Sequence, residues 1–251
     1  LERSGSVGEE VGWRPCHVVV RDEGGDPRGA LPLYLKDHSF GEYIFDWGWA
    51  EAAHAAGVPY YPKLVSAVPF TPVTGRRLLL RADEPDAGAV RAALVAGARR
   101  LAREADASSM HVLFLRRDEQ ADLALDGDFV PRLSYQFHWT NAGYRDFDDY
   151  LASFRSSARK SVRRERRRAA AAGLTLRTLD GPELNDEQWG ALYRCYRHTS
   201  ARKWGQAYLT REFFKLVRER LAHRVVVTLA ADGDRTVAAA LSLHKGGRLY
   251  G

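Results

Sequence analysis

The sequence is poor in sulfur and lacks the short motifs that mark many catalytic sites. Its 251 residues include two cysteines, Cys16 and Cys195, and one methionine. The cysteines stand far apart without a partner at redox or zinc spacing, which indicates two reduced thiols in a cytoplasmic protein. No CxxC, HExxH, P-loop, GxSxG or GxGxxG pattern occurs. Zinc chemistry, Walker-type nucleotide binding and a nucleophile elbow therefore have no support, and we expect no metal ligands.

Long apolar runs are also missing. No stretch approaches the roughly 20 residues that span a bilayer, and no signal peptide opens the chain. A hydrophobic content of 45% with six tryptophans nevertheless indicates folded cores rather than disorder. The chain has no initiator methionine, and it ends at Arg248–Gly251 within an expected strand. We therefore expect a fragment of a longer protein.

Acidic residues are scarce in one basic segment. The net charge is +6, and between Arg155 and Arg168 eight Lys or Arg residues accompany one acid, Glu165. Such an excess favours phosphates, nucleic acid or anionic lipid as partners. Arg159, Lys160 and Arg163 are the candidates to hold an anionic or nucleotide-linked substrate, or tRNA. A solvated helix face is the alternative interpretation of the same charges.

A strand–turn–strand pattern occurs twice. Residues 17–20, 30–35 and 43–47 read as three strands, and residues 225–227, 238–243 and 249–250 read as three more. The matching positions lie 207 or 208 residues apart: Gly25 and Gly233, Leu33 and Leu241, Tyr43 and Tyr250. Turns reuse glycine and aspartate, so chance can produce such a pair. The shared apolar register favours a duplicated unit.

Helices and further strands lie between the two hairpins. Apolar spacing predicts helices over 87–105 and from about Asp146 to Gly173, with strands over 110–115 and 134–139. Asn185, with Gln188, and Thr210 have the positions of helix N-caps. This order predicts an α/β (α+β) fold with mixed sheets. We assign 1–140 to a first unit and 141–251 to a second.

The segment from Lys36 to Trp47 carries the densest chemistry. On a strand, Glu42, Ile44 and Asp46 would share one face, and Tyr43, Phe45 and Trp47 the other. Two carboxylates near His38 suit general acid–base catalysis, so Glu42 or Asp46 is the candidate base and His38 the reserve. Solvated carboxylates and core aromatics are the alternative.

Two other segments are candidates for ligand contacts. Tyr60, Tyr61 and Lys63 precede a proline-stiffened loop that could line a cleft, or could be a simple connection. Lys203, Trp204 and Tyr208 lie in an expected loop between helices, where Trp204 could contact a ligand or plug the helices. With them, the predicted substrate-binding set includes Lys36, Tyr43 and Trp47.

Taken together, these segments resemble the FemAB-like family of predicted N-acyltransferases of peptidoglycan biosynthesis or recognition. The specific part is Lys-Asp-His-Ser-Phe-Gly-Glu-Tyr with Phe-Asp-Trp-Gly-Trp-Ala, and the matching stretches also include 60–75, 157–165 and 203–214. The resemblance implies two acetyltransferase-type (GNAT) units in tandem. It also implies acyl or aminoacyl transfer to the amine of a small molecule or peptide, by analogy with enzymes that extend cell-wall precursors.

The chain departs from such units at the acyl-donor site. It lacks the Gln/Arg-x-x-Gly-x-Gly/Ala loop that binds the pyrophosphate of coenzyme A. It also lacks the glycine-, glutamate- and histidine-rich segment of the family's second unit. Acyl-CoA and aminoacyl-tRNA therefore both stay open as donor. A non-catalytic module that binds a nucleotide-linked precursor or RNA through the basic segment is the alternative function.

Overall fold

The computed structural model of the protein describes residues 1–125, 127–204 and 206–251, with only the backbone described at position 204. The chain forms two compact units, Leu1–Ser134 and Tyr135–Gly251. One sheet of the described residues mixes parallel and antiparallel strands, and two are antiparallel. The predicted α/β (α+β) class is confirmed.

The first unit contains seven strands and three α-helices among its described residues. In chain order they are β1 (Arg14–Pro15), β2 (Val18–Arg21), β3 (Pro27–Leu31), β4 (Tyr34–Lys36), α1 (Trp47–Ala55), β5 (Lys63–Ser66), β6 (Leu79–Leu80), α2 (Ala87–Glu104), β7 (Met110–Val112) and α3 (Arg117–Leu125). One sheet has the order β2-β3-β6 and the other β1-β4-β5-β7. Strands β5 and β7 are parallel, and the other pairs are antiparallel.

Helix α2 covers the core of the first unit. Its residues Val90, Leu94 and Ala98 are buried, as their spacing predicts, together with Leu31 of β3 and Leu64 of β5. The predicted hairpin of β2 and β3 is confirmed by their antiparallel pairing. Gly29 of β3 permits close approach of the helix, because a Cβ there would lie 2.7 Å from Val90 Cγ1.

The β1-β4-β5-β7 sheet has one apolar face and one polar face. Side chains alternate along a strand, so Leu35 and Leu64 enter the core while Lys36 and Lys63 point to the other side. Lys36 of β4 lies directly opposite Lys63 of β5 in the antiparallel register. Two lysines in this position would repel each other across the strands unless anions accompany them.

Four strand predictions need correction. The strand expected over 30–35 is divided, because β3 ends at Leu31 and β4 begins at Tyr34 in the other sheet. Residues 43–47 form no strand: Tyr43 has a φ of 57°, and Trp47 begins α1. Residues 134–139 alternate like a strand but are paired with none among the described residues, and their side chains are exposed. The strand at Met110 ends at Val112, because Phe114 takes a φ of 51°.

The second unit is a four-stranded antiparallel sheet with four α-helices among the described residues. Its elements are α4 (Phe147–Ala152), α5 (Ser156–Ala170), β8 (Thr175–Asp180), α6 (Asp186–Trp204), α7 (Arg211–Leu221), β9 (Val225–Asp232), β10 (Arg235–Lys245) and β11 (Arg248–Tyr250). The strand order is β11-β10-β9-β8. Buried Trp189, Leu192, Phe214 and Val227 form its core.

Both predicted helix caps of the second unit are confirmed. The Asn185 and Gln188 side chains each accept the other's backbone N–H at 2.9 Å. The Thr210 hydroxyl accepts the Phe213 N–H at 3.2 Å. Local hydrogen-bonding chemistry is therefore sufficient to place these two helix starts.

Two helix predictions in the second unit are wrong. The long helix from Asp146 is two helices, because the backbone at Arg155, with a ψ of 148°, interrupts it between α4 and α5. Residues 202–204 belong to α6 rather than to a loop.

The second predicted hairpin does form, from β9 and β10. The match of Tyr43 to Tyr250 fails because only Tyr250 lies in a strand.

Candidate active site in the first unit

Four oppositely charged side chains are buried together on the polar face of the β1-β4-β5-β7 sheet. Lys36 and Glu42 are 1% and 2% exposed, and Asp46 and Lys63 are 0% exposed. Charged side chains are almost never this buried unless they are paired. We call these four residues the ionic cluster.

Lys63 is the centre of the ionic cluster. Its Nζ donates to Asp46 Oδ2 at 2.5 Å and to Glu42 Oε2 at 2.9 Å. The Ser39 hydroxyl accepts a third hydrogen bond from it at 2.9 Å. An ammonium group has three donors, so the hydrogen-bonding capacity of Lys63 is filled.

Lys36 completes the ionic cluster beside Glu42. Its Nζ lies 3.7 Å from Glu42 Oε1 and donates to the Phe40 carbonyl at 3.0 Å. The same Nζ lies 3.6 Å from the ring centroid of Trp13, which is the geometry of a cation–π contact. Among the described residues, Glu42 Oε1 accepts no hydrogen bond. Asp46 Oδ1 is in the same state, so one oxygen of each carboxylate in the cluster retains an open acceptor position.

The loop from Asp37 to Asp46 brings the carboxylates over the sheet. Gly41 turns the chain with a φ of 79°, and a Cβ there would lie 2.7 Å from the Phe70 ring. Glu42 follows this turn directly, and Asp46 lies immediately before α1. The two carboxylates therefore converge on Lys63 from a loop, although the prediction that they share one face of a strand is wrong.

Two tyrosines close the ionic cluster from the segment that precedes β5. The Tyr60 hydroxyl donates to Asp46 Oδ2 at 2.7 Å. The hydroxyls of Tyr61 and Ser39 lie 2.7 Å apart. Asp46 Oδ2 thus receives hydrogen bonds from both an ammonium and a phenol, which are strong donors to a charged acceptor.

The pKa values of Lys36 and Glu42 move toward each other. Burial lowers the pKa of Lys36 to about 7, with attraction by Glu42 opposing the change and repulsion by Lys63 adding to it. Burial also raises the pKa of Glu42 above its usual value, although Lys63 and Lys36 partly offset this. A carboxyl and an amine with converging pKa values can exchange a proton at small cost.

Asp46 differs from Glu42 in its electrostatics. Burial favours its neutral form, but the hydrogen bonds from Lys63, Tyr60 and Ser39 outweigh that effect and leave the pKa of Asp46 lowered. A carboxylate stabilised in this way is a weak base. Of the two predicted base candidates, Glu42 therefore has the better electrostatics.

His38 lies beside the ionic cluster and touches it through Lys36. Its Nδ1 accepts the Phe40 N–H at 3.2 Å and lies 3.4 Å from Lys36 Nζ. That acceptor role leaves the proton on Nε2, which donates to the Val11 carbonyl at 3.1 Å. Burial, and then Lys36, lower the pKa of His38. Both ring nitrogens are therefore engaged in holding the loop.

The structure gathers seven of the predicted site residues and leaves two of their neighbours outside. Those gathered are Lys36, His38, Glu42, Asp46, Tyr60, Tyr61 and Lys63. Tyr43 and Trp47, predicted to bind substrate, are instead about half exposed on the outer side of the same segment. Ser39, Glu42 and Asp46 of the loop are buried, whereas its aromatic residues are exposed.

The predicted residues of the basic segment lie on α5 in the second unit. Arg159, Lys160 and Arg163 are on this helix, and Arg163 donates to Asp148 at 3.1 Å. An open depression of about 720 Å³ runs along the helix, lined by Ser157, Lys160, Ser161, Arg163, Arg164 and Arg167.

The other second-unit candidates lie at the end of α6 and beyond it. Lys203 is exposed in the last turn of α6, and the Trp204 side chain lies outside the described residues. Tyr208 follows the helix, and burial, then Tyr196, raise its pKa.

Sequence reasoning missed three residues around the ionic cluster. Ser39 stood inside the densest motif without an assigned role, yet its hydroxyl contacts Lys63 and Tyr61. Trp13 reaches Lys36 from a distant part of the chain, so no local pattern marks it. His111 of β7 lies near Lys63 and Asp46, and burial, then Lys63, lower its pKa to about 4. Its alternation with Ser109, the residue immediately before β7, was the available signal.

The described residues contain neither a metal-binding group nor a membrane-spanning helix. No group of three or more His, Cys, Asp and Glu side chains is placed to hold a metal ion. No helix in the described ranges is both long and apolar enough to cross a bilayer.

Comparison with known proteins assigns the chain to a family. A search of curated proteins finds no match to the chain. The FemAB-like family, described as peptidoglycan biosynthesis/recognition, matches residues 1–251. That match spans the loop that carries Glu42 and Asp46 as well as the whole second unit. The chain therefore belongs to the FemAB-like family of peptidoglycan biosynthesis/recognition.

Proposed function

We propose that the protein transfers an acyl or aminoacyl group to an amine, with Glu42 as the base. The observation that carries the proposal is the buried Glu42 carboxylate, which has a raised pKa and an open acceptor position at Oε1. A base with a pKa moved toward neutrality is suited to take a proton from an attacking amine. FemAB-like membership supports an amine of a cell-wall precursor as the acceptor.

The reaction forms one C–N bond and breaks one bond to the leaving group. The neutral amine attacks the activated carbonyl carbon, and its N–H proton passes to Glu42. The carbon–oxygen bond of an aminoacyl ester, or the carbon–sulfur bond of a thioester, then breaks. The leaving oxygen or sulfur takes a proton, which returns Glu42 to its ionised form.

The other members of the ionic cluster prepare Glu42 for this role. Lys63 holds Oε2 and leaves Oε1 open, which fixes the orientation of the carboxylate. Lys36, 3.7 Å from Oε1 and with a pKa of about 7, is placed to share the proton. Asp46 and Tyr60 position Lys63 rather than contact substrate.

Transfer with a panel of donors tests the proposal. The protein is incubated with aminoacyl-tRNA or acyl-CoA and with a cell-wall precursor peptide that has a free amine. We expect mass spectrometry to detect a new amide with one of these donors. Absence of amide with every donor, from protein shown to be folded, would overturn the proposal.

The non-catalytic alternative gains no support from α5. The helix buries no residue, and its charges are those of a solvated face. Arg163 pairs with Asp148, and the Arg166 guanidinium lies 4.0 Å from the Phe147 ring centroid. These contacts join residues of the second unit to one another, and they do not indicate a particular ligand.

A further inference from the structure

An exposed aromatic surface covers the outer side of the segment that supplies Glu42 and Asp46. It consists of Phe40, Phe45, Trp47 and Trp49, all of which are close to half exposed or more. The Trp47 ring centroid lies 6.3 Å from that of Phe40 and 5.6 Å from that of Phe45. Large contiguous apolar surfaces on a folded protein usually mark a contact with another molecule.

Helix α1 continues the aromatic surface without burying any residue. Seven of its nine residues are Trp, Gly or Ala, and none is buried. Its only polar side chains are Glu51 and His54, both exposed. A helix with so few polar residues is normally buried in part, and an isolated helix of this length is marginal in water. Helix α1 therefore has the amino-acid composition of a helix that packs against another surface, but its residues are exposed to solvent.

The charges around the aromatic surface favour one kind of partner. Of the three acids between Phe40 and Val58, Glu42 and Asp46 are buried, and only Glu51 is exposed. Arg132 borders the surface, with its guanidinium 5.5 Å from the Trp49 ring centroid and a hydrogen bond of 2.9 Å to the Phe45 carbonyl. Because the carboxylates of Glu42 and Asp46 point inward, they add no negative charge to the aromatic surface. The surface is bordered by the Arg132 cation, on a chain of net charge +6.

We propose that the aromatic surface and α1 dock on an anionic lipid bilayer. Tryptophan and phenylalanine rings favour the boundary between headgroups and acyl chains, where an apolar body meets water. A short apolar helix can lie in the same layer, and a neighbouring arginine attracts anionic headgroups. The contact is peripheral.

A sugar or nucleobase fits the surface less well. Aromatic rings that bind such ligands by stacking are usually accompanied by hydrogen-bonding groups, which fix the orientation of the ligand. Here the carboxylates of Glu42 and Asp46 point inward, and the polar side chains of α1 are limited to Glu51 and His54. The bilayer proposal is independent of the acyl-transfer proposal, since it needs neither Glu42 nor a donor.

Vesicle co-sedimentation with a matched pair of variants tests the docking. The vesicles contain either phosphatidylcholine alone or equal parts of phosphatidylcholine and phosphatidylglycerol. Trp49 and Trp139 are 63% and 62% exposed, so Trp49→Ala and Trp139→Ala remove equally exposed rings from different places. Circular dichroism confirms that both variants fold.

We expect the protein to sediment with the anionic vesicles. Trp49→Ala should weaken binding by about tenfold, because it removes a ring that enters the bilayer, and Trp139→Ala should leave binding unchanged. Failure to sediment, or equal binding by the two variants and the parent protein, would overturn the proposal. Light scattering that shows a dimer abolished only by Trp49→Ala, without vesicle binding, would assign the surface to a second copy instead.

Discussion

At the scale of single residues, the ionic cluster is a balance of two cations and two anions. Lys63 is not exposed to solvent and contacts both carboxylates of the cluster. Lys36 contacts one of the two carboxylates, that of Glu42. Removing one partner of a buried ion pair leaves an uncompensated charge, which costs more than the pair itself contributes. The two lysines should therefore differ in their importance for stability.

Lys63→Met should destabilise the protein more than Lys36→Met at neutral pH. The first substitution leaves two buried carboxylates facing each other and should cost about 3–5 kcal/mol of unfolding free energy. The second should cost less, because Lys36, with a pKa of about 7, is already partly neutral. Urea denaturation measures both values. Equal losses would contradict the assignment of Lys63 as the centre of the cluster.

The lowered pKa of Lys36 also predicts a pH dependence of stability. Burial lowers it from 10.5 to about 7, so between these values the unfolded chain binds more protons than the folded one. Stability should therefore rise with pH between about pH 7 and pH 9.5, below the range where tyrosines ionise in the unfolded chain.

The Lys36→Met variant isolates this effect. It lacks the titrating group, so its unfolding free energy should rise less steeply over the same pH range. Urea denaturation at several pH values compares the two slopes. Parallel slopes for the parent protein and the variant would show that Lys36 keeps an ordinary pKa.

At the scale of elements, local signals predict the starts of two helices better than the path of the loops. Asn185 and Thr210 were predictable as caps because a cap depends on residues only three positions away. The sequence around Tyr43 alternates like a strand, yet the segment is a loop. Its carboxylates pair with two lysines that β4 and β5 place side by side. The pairing of β4 with β5 joins residues that are distant in sequence, so no local pattern predicts it.

The Asn185 cap makes an element-scale prediction. Asn185→Ala removes the acceptor for the Gln188 N–H and should destabilise the second unit by about 1 kcal/mol. Asn185→Asp, which keeps an acceptor, is the matched control and should change stability much less. Thermal unfolding of the two variants checks this. A loss of the same size in Asn185→Asp would show that capping is not the cause.

At the scale of the whole molecule, the two units have separate cores. Leu31, Leu64 and Leu94 belong to the first core, and Trp189 and Val227 to the second. The α/β class was predictable because helical and strand periodicities alternate along the chain. The duplication of a GNAT-type unit stays a prediction: each unit has the predicted hairpin, but β4 leaves the first hairpin to pair with β1 and β5.

The candidate site was predictable in its members but not in its arrangement. The motif around Glu42 and Asp46 named residues that the fold brings together, and their roles in catalysis stay predictions. The resemblance to FemAB-like proteins agrees with the family match. Their burial, and the difference between the pKa values of Glu42 and Asp46, depend on Lys63, Tyr60 and Ser39. Only the folded sheet brings those side chains together.

The rate of amide formation by Glu42→Gln tests the central proposal most directly. The variant keeps the size of the side chain and removes the base, so kcat should fall by about 10²–10⁴-fold. Thr178→Ala in the second unit, an exposed polar substitution, serves as the control and should keep the parent rate. Circular dichroism confirms folding of each variant. A Glu42→Gln protein that is folded and retains the full kcat would contradict the assignment of Glu42 as the base.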